Sequence, residues 1–162
     1  MKGSFFLPGS ECLIRSLDGS TPTANRLSEM GVLPGSRLQV VRLSPLGDTV
    51  EVRMEEGETL ALRHTDLAHL GCSFTALPLS LAAEQFSGPL RIRRLLGGRG
   101  FTERMAQQGL RPGSHLQVLN RTPHRIRCRQ ETGKTVELGA GEAVKIIVEP
   151  PDGGISNPHE NS

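Results

Sequence analysis

The residue types best suited to hold a transition metal are concentrated in one short stretch. His64, His69 and Cys72 lie within nine residues, and imidazole nitrogen and thiolate sulfur are ligands that suit Fe(II) or Zn(II). A gap of five puts the two histidines on different faces of a helix, whereas a helical metal pair is spaced by three or four. We take these three residues as metal-ligand candidates that their spacing does not organise into a preformed site.

The other histidine and cysteine side chains are more scattered. His115, His124 and Cys128 fall on a predicted strand, a loop and the next strand, so they form a still poorer metal set. The chain has three cysteines and no CxxC pair, and an odd count argues against a secreted disulfide framework. The cysteines are therefore predicted to be small core residues of a protein in a reducing compartment.

Arginine recurs with period two near the end of the chain. Arg125, Arg127 and Arg129 project from one face of a predicted strand. A solvated outer face and a contact with an acidic protein partner both fit this pattern. Nucleic acid fits less well, because the chain has no Trp, no Tyr and five Phe, and it offers neither a stacking platform nor a reading helix.

Catalytic patterns are missing. Residues 97–100 (GGRG) form a glycine-rich turn, but no GxxxxGK[ST] phosphate cradle follows them. Serine, histidine and carboxylate residues lie in no nucleophile context. The sequence therefore predicts a protein that is not an enzyme.

An internal repeat positions all of these residues. Residues 31–40 (GVLPGSRLQV) return as residues 109–118 (GLRPGSHLQV), an offset of 78. This period is too long for a solenoid and suits a small domain. We predict a first domain over residues 1–77, a second over 78–149, and a disordered tail over 150–162, which has too few apolar residues to build a core.

Each copy is predicted to contain about five short strands and one small helix. In copy one, Thr21 and Pro22 begin the helix and Gly31 ends it. In copy two, Gly109 ends the matching helix, and Ser80 is predicted to cap an additional helical turn. The strand after residue 36 changes face at Val40-Val41, which predicts a bulge. Short strands at this spacing favour two small barrels in a mainly β protein.

Charge divides unevenly between the copies. Residues 1–77 carry seven Lys/Arg and nine Asp/Glu, whereas residues 78–149 carry twelve and six. The basic copy two could attract an acidic partner, or the two copies could attract each other in self-association. No apolar run approaches a membrane span. We therefore expect a cytoplasmic protein that does not insert into the membrane.

The ordered motifs of copy one resemble the FeoA family of bacterial ferrous iron transport proteins. The resemblance runs through residues 27–42 (LSEMGVLPGSRLQVVR) and 44–48 (SPLGD), and it is weaker over residues 78–149. It implies two tandem SH3-like β-barrels, no catalysis, and a role beside FeoB, a membrane transporter with a cytoplasmic GTPase domain. A regulatory module that senses Fe(II) or Zn(II) is the alternative.

The same motif suggests where a partner would bind. Arg42, Pro45, Leu46 and Asp48 form the predicted contact of copy one, with Leu46 as an exposed apolar anchor or, alternatively, folded back onto the barrel. Copy two has residues 120–124 (NRTPH) in place of this loop. Its predicted contact is therefore the face formed by Arg125, Arg127 and Arg129.

Overall fold

A computed structural model describes residues 5–19, 21–150 and 155–156, and it is mainly β. These residues divide into two units, one running to Thr75 and including the strand at 155–156, the other beginning at Ala76. The units consist of short antiparallel strands joined by tight turns, together with five helices of four to nine residues among the described residues. None of these helices has the length and apolar character needed to cross a membrane.

The first unit is a meander of antiparallel strands. Its strands lie in the order β4-β3-β2-β1-β5, with β11 also paired to β5. The β2 pairing with β3 shifts register between Val40 and Arg42, which confirms the predicted bulge. Its elements are β1 (Glu11–Leu17), α1 (Pro22–Glu29), β2 (Arg37–Leu43), β3 (Thr49–Met54), β4 (Thr59–Arg63), α2 (His64–Leu67), β5 (Leu70–Pro78) and β11 (Ile155–Ser156).

Helix α1 forms for the reasons that its sequence predicts. The Thr21 hydroxyl accepts a hydrogen bond from the Ala24 N–H at 3.1 Å, and Pro22 occupies the first helical turn. Ala24 and Leu27 are buried on one face. Gly31 follows with φ of 92°, a left-handed conformation that glycine adopts without a steric penalty.

The second unit repeats this plan after an additional helix. The end of β5 pairs with β10, and the order continues β10-β6-β7-β8-β9. The bulge recurs in β7 between Val118 and Asn120. The elements are α3 (Leu79–Gln85), β6 (Leu90–Leu95), α4 (Arg99–Gln107), β7 (His115–Arg121), β8 (Arg125–Gln130), β9 (Thr135–Gly139), α5 (Ala140–Ala143) and β10 (Ile146–Glu149).

The sheets differ from the predicted closed barrels. Among the described strands, β4 and β9 each pair with one neighbour and stand at the ends of the strand order. Each has five residues and leads directly into a helical turn, α2 or α5, and no other described strand pairs with its outer edge. The expectation of two closed barrels is therefore wrong for the described residues, while the mainly β class is confirmed.

Three local features also depart from expectation. Helices α2 and α5 were not expected, because four residues give no helical periodicity. Helix α3 begins at Leu79 after Pro78 without a side-chain cap, so Ser80 is not its N-cap. In the predicted disordered tail, Ile155 and Ser156 pair with β5; residues 151–154 and 157–162 lie outside the described residues.

Candidate partner-binding surfaces

The loop over residues 44–48 is held by hydrogen bonds within itself. The Ser44 hydroxyl donates to Asp48 Oδ1 at 2.9 Å and accepts from the Thr49 N–H at 3.2 Å. The Gly47 N–H donates to the Ser44 carbonyl at 2.9 Å. These bonds fix the loop's backbone and leave Pro45 exposed at its outer edge.

Leu46 is the most exposed large apolar side chain among the described residues. Its exposed fraction is 89%, against 43% for Leu33 and 37% for Leu119. It therefore does not fold back onto the sheet, which was the alternative interpretation of this loop. A leucine held in water by a fixed backbone has apolar surface available for a partner.

Arg42 lies at the foot of this loop and is bound to Glu51. The two residues are register partners on β2 and β3, and the Arg42 guanidinium donates to Glu51 Oε2. This hydrogen bond lowers the pKa of the Glu51 carboxyl and raises the pKa of Arg42. A partner that used Arg42 would have to share it with Glu51.

The three arginines of β8 share one exposed face, as their spacing predicts. Ile126 and Cys128, between them, are buried. The Arg125 guanidinium donates to Glu137 Oε2 on β9 at 3.3 Å. Within the described part of the chain, the side chains of Arg127 and Arg129 have no hydrogen-bond or ion-pair partner. They are the two arginines of this face whose charge is not already balanced by a contact.

The turn before β8 carries no apolar tip. Thr122 closes it through its hydroxyl, which accepts from the Arg125 N–H at 3.1 Å and from the His124 N–H at 3.3 Å. Copy two thus has a tight polar turn where copy one has the Leu46 loop. The two predicted contact sets lie in different units.

The metal candidates are not brought together. His64 begins α2, and His69 Nδ1 lies 3.4 Å from Asp18 Oδ2. Cys72 is bonded to Cys12 in a disulfide, which leaves it no free thiolate. In the described ranges, no three His, Cys, Asp or Glu side chains cluster as a metal site would require.

The disulfide corrects the sequence analysis. Cys12 on β1 and Cys72 on β5 are 60 residues apart, with a Cα–Cα distance of 5.6 Å. They are buried, as predicted, but not as free thiols, so the cysteines no longer support the expected reducing compartment. The odd number of cysteines argued against a disulfide, and this pairing could not be predicted from the sequence because it depends on β1 and β5 being neighbours in the sheet. Cys128 is the free cysteine, and burial raises the pKa of its thiol to about 11.

Sequence reasoning also missed a repeated ion pair. Asp66 is buried; its Oδ2 accepts from the Arg63 N–H at 3.0 Å, and its Oδ1 accepts from Arg26 of α1. In copy two, Arg104 lies 3.9 Å from Glu142. The recurrence of arginine at 26 and 104 was the available signal. In each copy this ion pair attaches the longer helix, α1 or α4, to the short helix, α2 or α5.

Comparisons with known proteins agree with the repeat. A family model described as the FeoA domain matches residues 4–72 and again residues 78–150. The solution structure of iron(II) transport protein A from Clostridium thermocellum is 32% identical, with a TM-score of 0.50, and the match covers 93% of this chain and 90% of that one.

Two further solved structures match part of the chain. A FeoA-like protein from Clostridium acetobutylicum is 17% identical, with a TM-score of 0.41, covering 46% of this chain and 90% of that one. Protein PA4359 from Pseudomonas aeruginosa is 40% identical, with a TM-score of 0.34, covering 40% and 88%. No curated protein matches the chain.

Proposed function

This chain belongs to the FeoA family, and on that premise we propose that it is a non-catalytic accessory protein of ferrous iron transport. It acts in the cytoplasm by binding the GTPase domain of a FeoB-type transporter, without entering the membrane. Each unit is an SH3-like module in which the strand meander presents its loops to that partner. The observation that carries the proposal is the exposure of Leu46 on a loop that lies within the family motif and is fixed by its own hydrogen bonds.

The Leu46 loop has the physical properties of an anchor. Its backbone is fixed before binding, so little conformational entropy is lost when a partner closes over it. Burying a leucine side chain contributes roughly 1.5–3 kcal/mol, about tenfold to a hundredfold in affinity. Pro45 and Asp48 flank the leucine and complete the contact, with Arg42 at its base.

Copy two makes a different contact. Its turn lacks the exposed leucine, and Arg127 and Arg129 on β8 have no partner among the residues that the structure describes. Unpaired guanidinium groups on a strand face suit carboxylates of a protein partner. The β8 arginines, with Arg125 beside them, therefore bind an acidic surface, while the Leu46 loop binds an apolar one.

The first test is binding of the full chain to the soluble GTPase domain of its own organism's FeoB-type transporter, with and without GTP. Leu46→Asp is expected to weaken binding at least about tenfold, because the variant loses the free energy of burying one leucine side chain. Its thermal midpoint should stay nearly unchanged, because an 89% exposed side chain supports no core.

Leu33→Asp is the matched control, since Leu33 is a partly exposed leucine of the same unit outside the loop. It should leave binding unchanged. Equal loss in both variants would indicate a non-specific charge effect, and no binding in any nucleotide state would reject the proposed partner.

The metal-sensor alternative is separated by an anaerobic titration with Fe(II) or Zn(II). The accessory function predicts that His64→Ala and His69→Ala do not alter transporter binding. Stoichiometric metal binding that these variants abolish, coupled to a change in partner affinity, would favour the sensor instead.

A further inference from the structure

The outer edge of β9 carries unpaired backbone groups. At one end of the β8–β9 ladder Gln130 N–H donates to the Lys134 carbonyl at 2.8 Å, and at the other Ala140 N–H donates to the His124 carbonyl at 3.0 Å. Hydrogen-bonded pairs alternate in antiparallel ladders. The backbone N–H and C=O groups of Thr135 and Glu137 therefore point away from β8, toward an edge where no described strand pairs.

One end of this edge is already closed. The next outward-pointing N–H, that of Gly139, donates to Glu142 Oε1 of α5 at 3.0 Å. The available segment is therefore short, from Thr135 to Glu137. It provides two donors and two acceptors, enough for a partner strand of about five residues to pair with.

A groove of about 610 Å³ lies along this edge. Val136 and Glu137 of β9 line one side, and Gln107, Gln108 and Gly109 at the end of α4 line the other. The Gln130 side chain donates to the Gln108 carbonyl at 2.7 Å and forms part of the wall. Carboxamide side chains both donate and accept, so they suit the backbone of an extended peptide.

This amide lining is a property of copy two. The repeat places Met30 where copy two has Gln108. The strand register places Met54, opposite Leu38, where copy two has Gln130, opposite Leu116. Met54 is 7% exposed and belongs to the apolar core. Copy two thus has two glutamines where copy one has two methionines, at the same corner, next to the edge strand.

The charges beside the β9 edge select an acidic occupant. Lys134 lines the groove, whereas Arg127 and Arg129 project from the other, exposed face of β8, where they lie opposite Glu137 and Thr135 in the β8–β9 register. Glu137 is itself bound by Arg125. A strand added to β9 would lie roughly 10 Å from β8, two strand spacings, a distance that arginine and glutamate side chains leaning toward each other can span.

We propose that copy two binds an extended acidic segment of its protein partner by adding it as a strand to the edge of β9. Its backbone pairs with Thr135 and Glu137, and its carboxylates on one face meet Arg127 and Arg129. This deepens the proposed function, and it rests on that function only in taking the β8 arginines as a contact surface.

Nucleic acid is the less suitable occupant of this surface. Single strands bind by stacking bases on aromatic side chains, and no Phe, Tyr or Trp lies on β7, β8 or β9. The carboxylate of Glu137 also stands on the same face. A segment with spaced carboxylates can avoid that group, whereas a continuous phosphate backbone cannot.

The test uses the full chain and two synthetic octapeptides, alternating Thr-Glu and alternating Thr-Lys, followed by NMR. The Thr-Glu peptide is expected to bind at least about tenfold more tightly than the Thr-Lys peptide, because only its carboxylates can make charge-assisted contacts with Arg127 and Arg129. Binding should slow hydrogen exchange of the Thr135 and Glu137 amides, because both become hydrogen-bonded.

A matched pair of variants isolates the backbone contact. Glu137→Pro removes an outward N–H and should lose peptide binding, whereas Glu137→Ala keeps the N–H and should bind as well or better. Proline is tolerated where an edge N–H faces solvent. Thr135→Pro beside Thr135→Ala repeats the comparison should Glu137→Pro not fold. Arg127→Gln/Arg129→Gln should abolish the preference for the acidic peptide.

Three outcomes would overturn the proposal: equal binding by the Pro and Ala variants, no preference between peptides, or an oligonucleotide bound more tightly than either and indifferent to Glu137→Pro. None of them depends on the transporter domain. Failure here, with Leu46→Asp still weakening transporter binding, rejects strand addition alone. If the peptide test succeeds and the transporter domain does not bind, the proposed partner is rejected and strand addition at β9 is supported.

Discussion

At the scale of single residues, Arg42 and Glu51 form a pair that titration can report on directly. The Arg42 hydrogen bond is the main cause of the lowered pKa of Glu51, and the nearby charge of Arg53 is the smallest. A carboxyl whose pKa is lowered in the folded state stabilises the fold above its unfolded pKa. That contribution is lost as pH falls below the ordinary value of 4.5.

We therefore predict that NMR titration gives Glu51 a pKa below 4.5 and that Arg42→Gln raises it. Arg53→Gln is the matched control, a loss of one positive charge on the same strand as Glu51 without loss of its hydrogen bond, and it should raise the pKa less. Equal shifts in the two variants would show that the hydrogen bond between Arg42 and Glu51 does not form in solution.

The three cysteines make a second prediction at this scale. In the structure Cys12 and Cys72 are bonded, and burial of Cys128 raises the pKa of its thiol to about 11; the test uses protein purified without reductant. At neutral pH the reactive thiolate form is scarce. A thiol reagent should therefore find almost no fast-reacting group in native protein, one after unfolding, and three after unfolding with reductant.

Cys128→Ala should reduce the count in unfolded, unreduced protein from one to zero and leave the disulfide intact. Three thiols in unfolded protein without reductant would mean that the Cys12–Cys72 bond is absent. A single fast-reacting thiol in native protein would instead contradict the burial of Cys128.

At the scale of elements, one glycine explains how α4 meets the strand before it. A Cβ on Gly97 would overlap the ring of Phe101, whereas a Cβ on Gly98 would meet nothing within 4 Å. Phe101 is buried, with Arg104 and Lys145 over its ring at 5.7 and 5.3 Å. The glycine-rich turn is therefore a packing device, consistent with the absence of a phosphate-cradle motif.

Gly97→Ala is expected to destabilise the protein by about 1–3 kcal/mol, the usual effect of overpacking. Urea unfolding measures it, and Gly100→Ala in the same turn, where a Cβ would meet nothing within 4 Å, is the control, which should not destabilise the protein. Similar losses in both would attribute the effect to the turn's backbone and not to the aromatic ring.

The elements were predictable where one local rule decides them. Thr21 and Gly31 bound α1 through capping and the left-handed conformation, and the bulge after Val40 follows from a change of face along the strand. Helices α2 and α5 were not predicted, because four residues are too few to show helical periodicity. The disulfide escaped because it depends on strand adjacency, which is a property of the fold.

The candidate surfaces divide in the same way. The period-two spacing of Arg127 and Arg129 correctly placed them on one exposed face, since strand geometry alone determines it. Whether Leu46 pointed outward depended on hydrogen bonds within its loop, which the sequence left open. The β9 groove could not be predicted, because it needs the end of α4 and an unpaired edge brought together.

At the scale of the whole molecule, the two proposed contacts depend on different forces. The Leu46 contact is apolar and should be nearly independent of ionic strength. The contact of Arg127 and Arg129 is electrostatic, and screening shortens from roughly 10 Å at 0.1 M salt to 3 Å at 1 M. A tandem protein with both contacts can hold one partner through two sites whose strengths are set independently.

We therefore predict that Leu46→Ala, which removes the apolar side chain without adding a charge, weakens binding to the transporter's GTPase domain by the same factor at 50 and 500 mM salt. Arg127→Gln/Arg129→Gln should weaken it mainly at the lower concentration. Combined, the changes should add within about 0.5 kcal/mol, as for separate sites. Calorimetry measures all three, with Leu33→Ala as control. A salt-independent loss in the arginine variant would contradict an electrostatic contact, and strong coupling would mean that the two surfaces do not act separately.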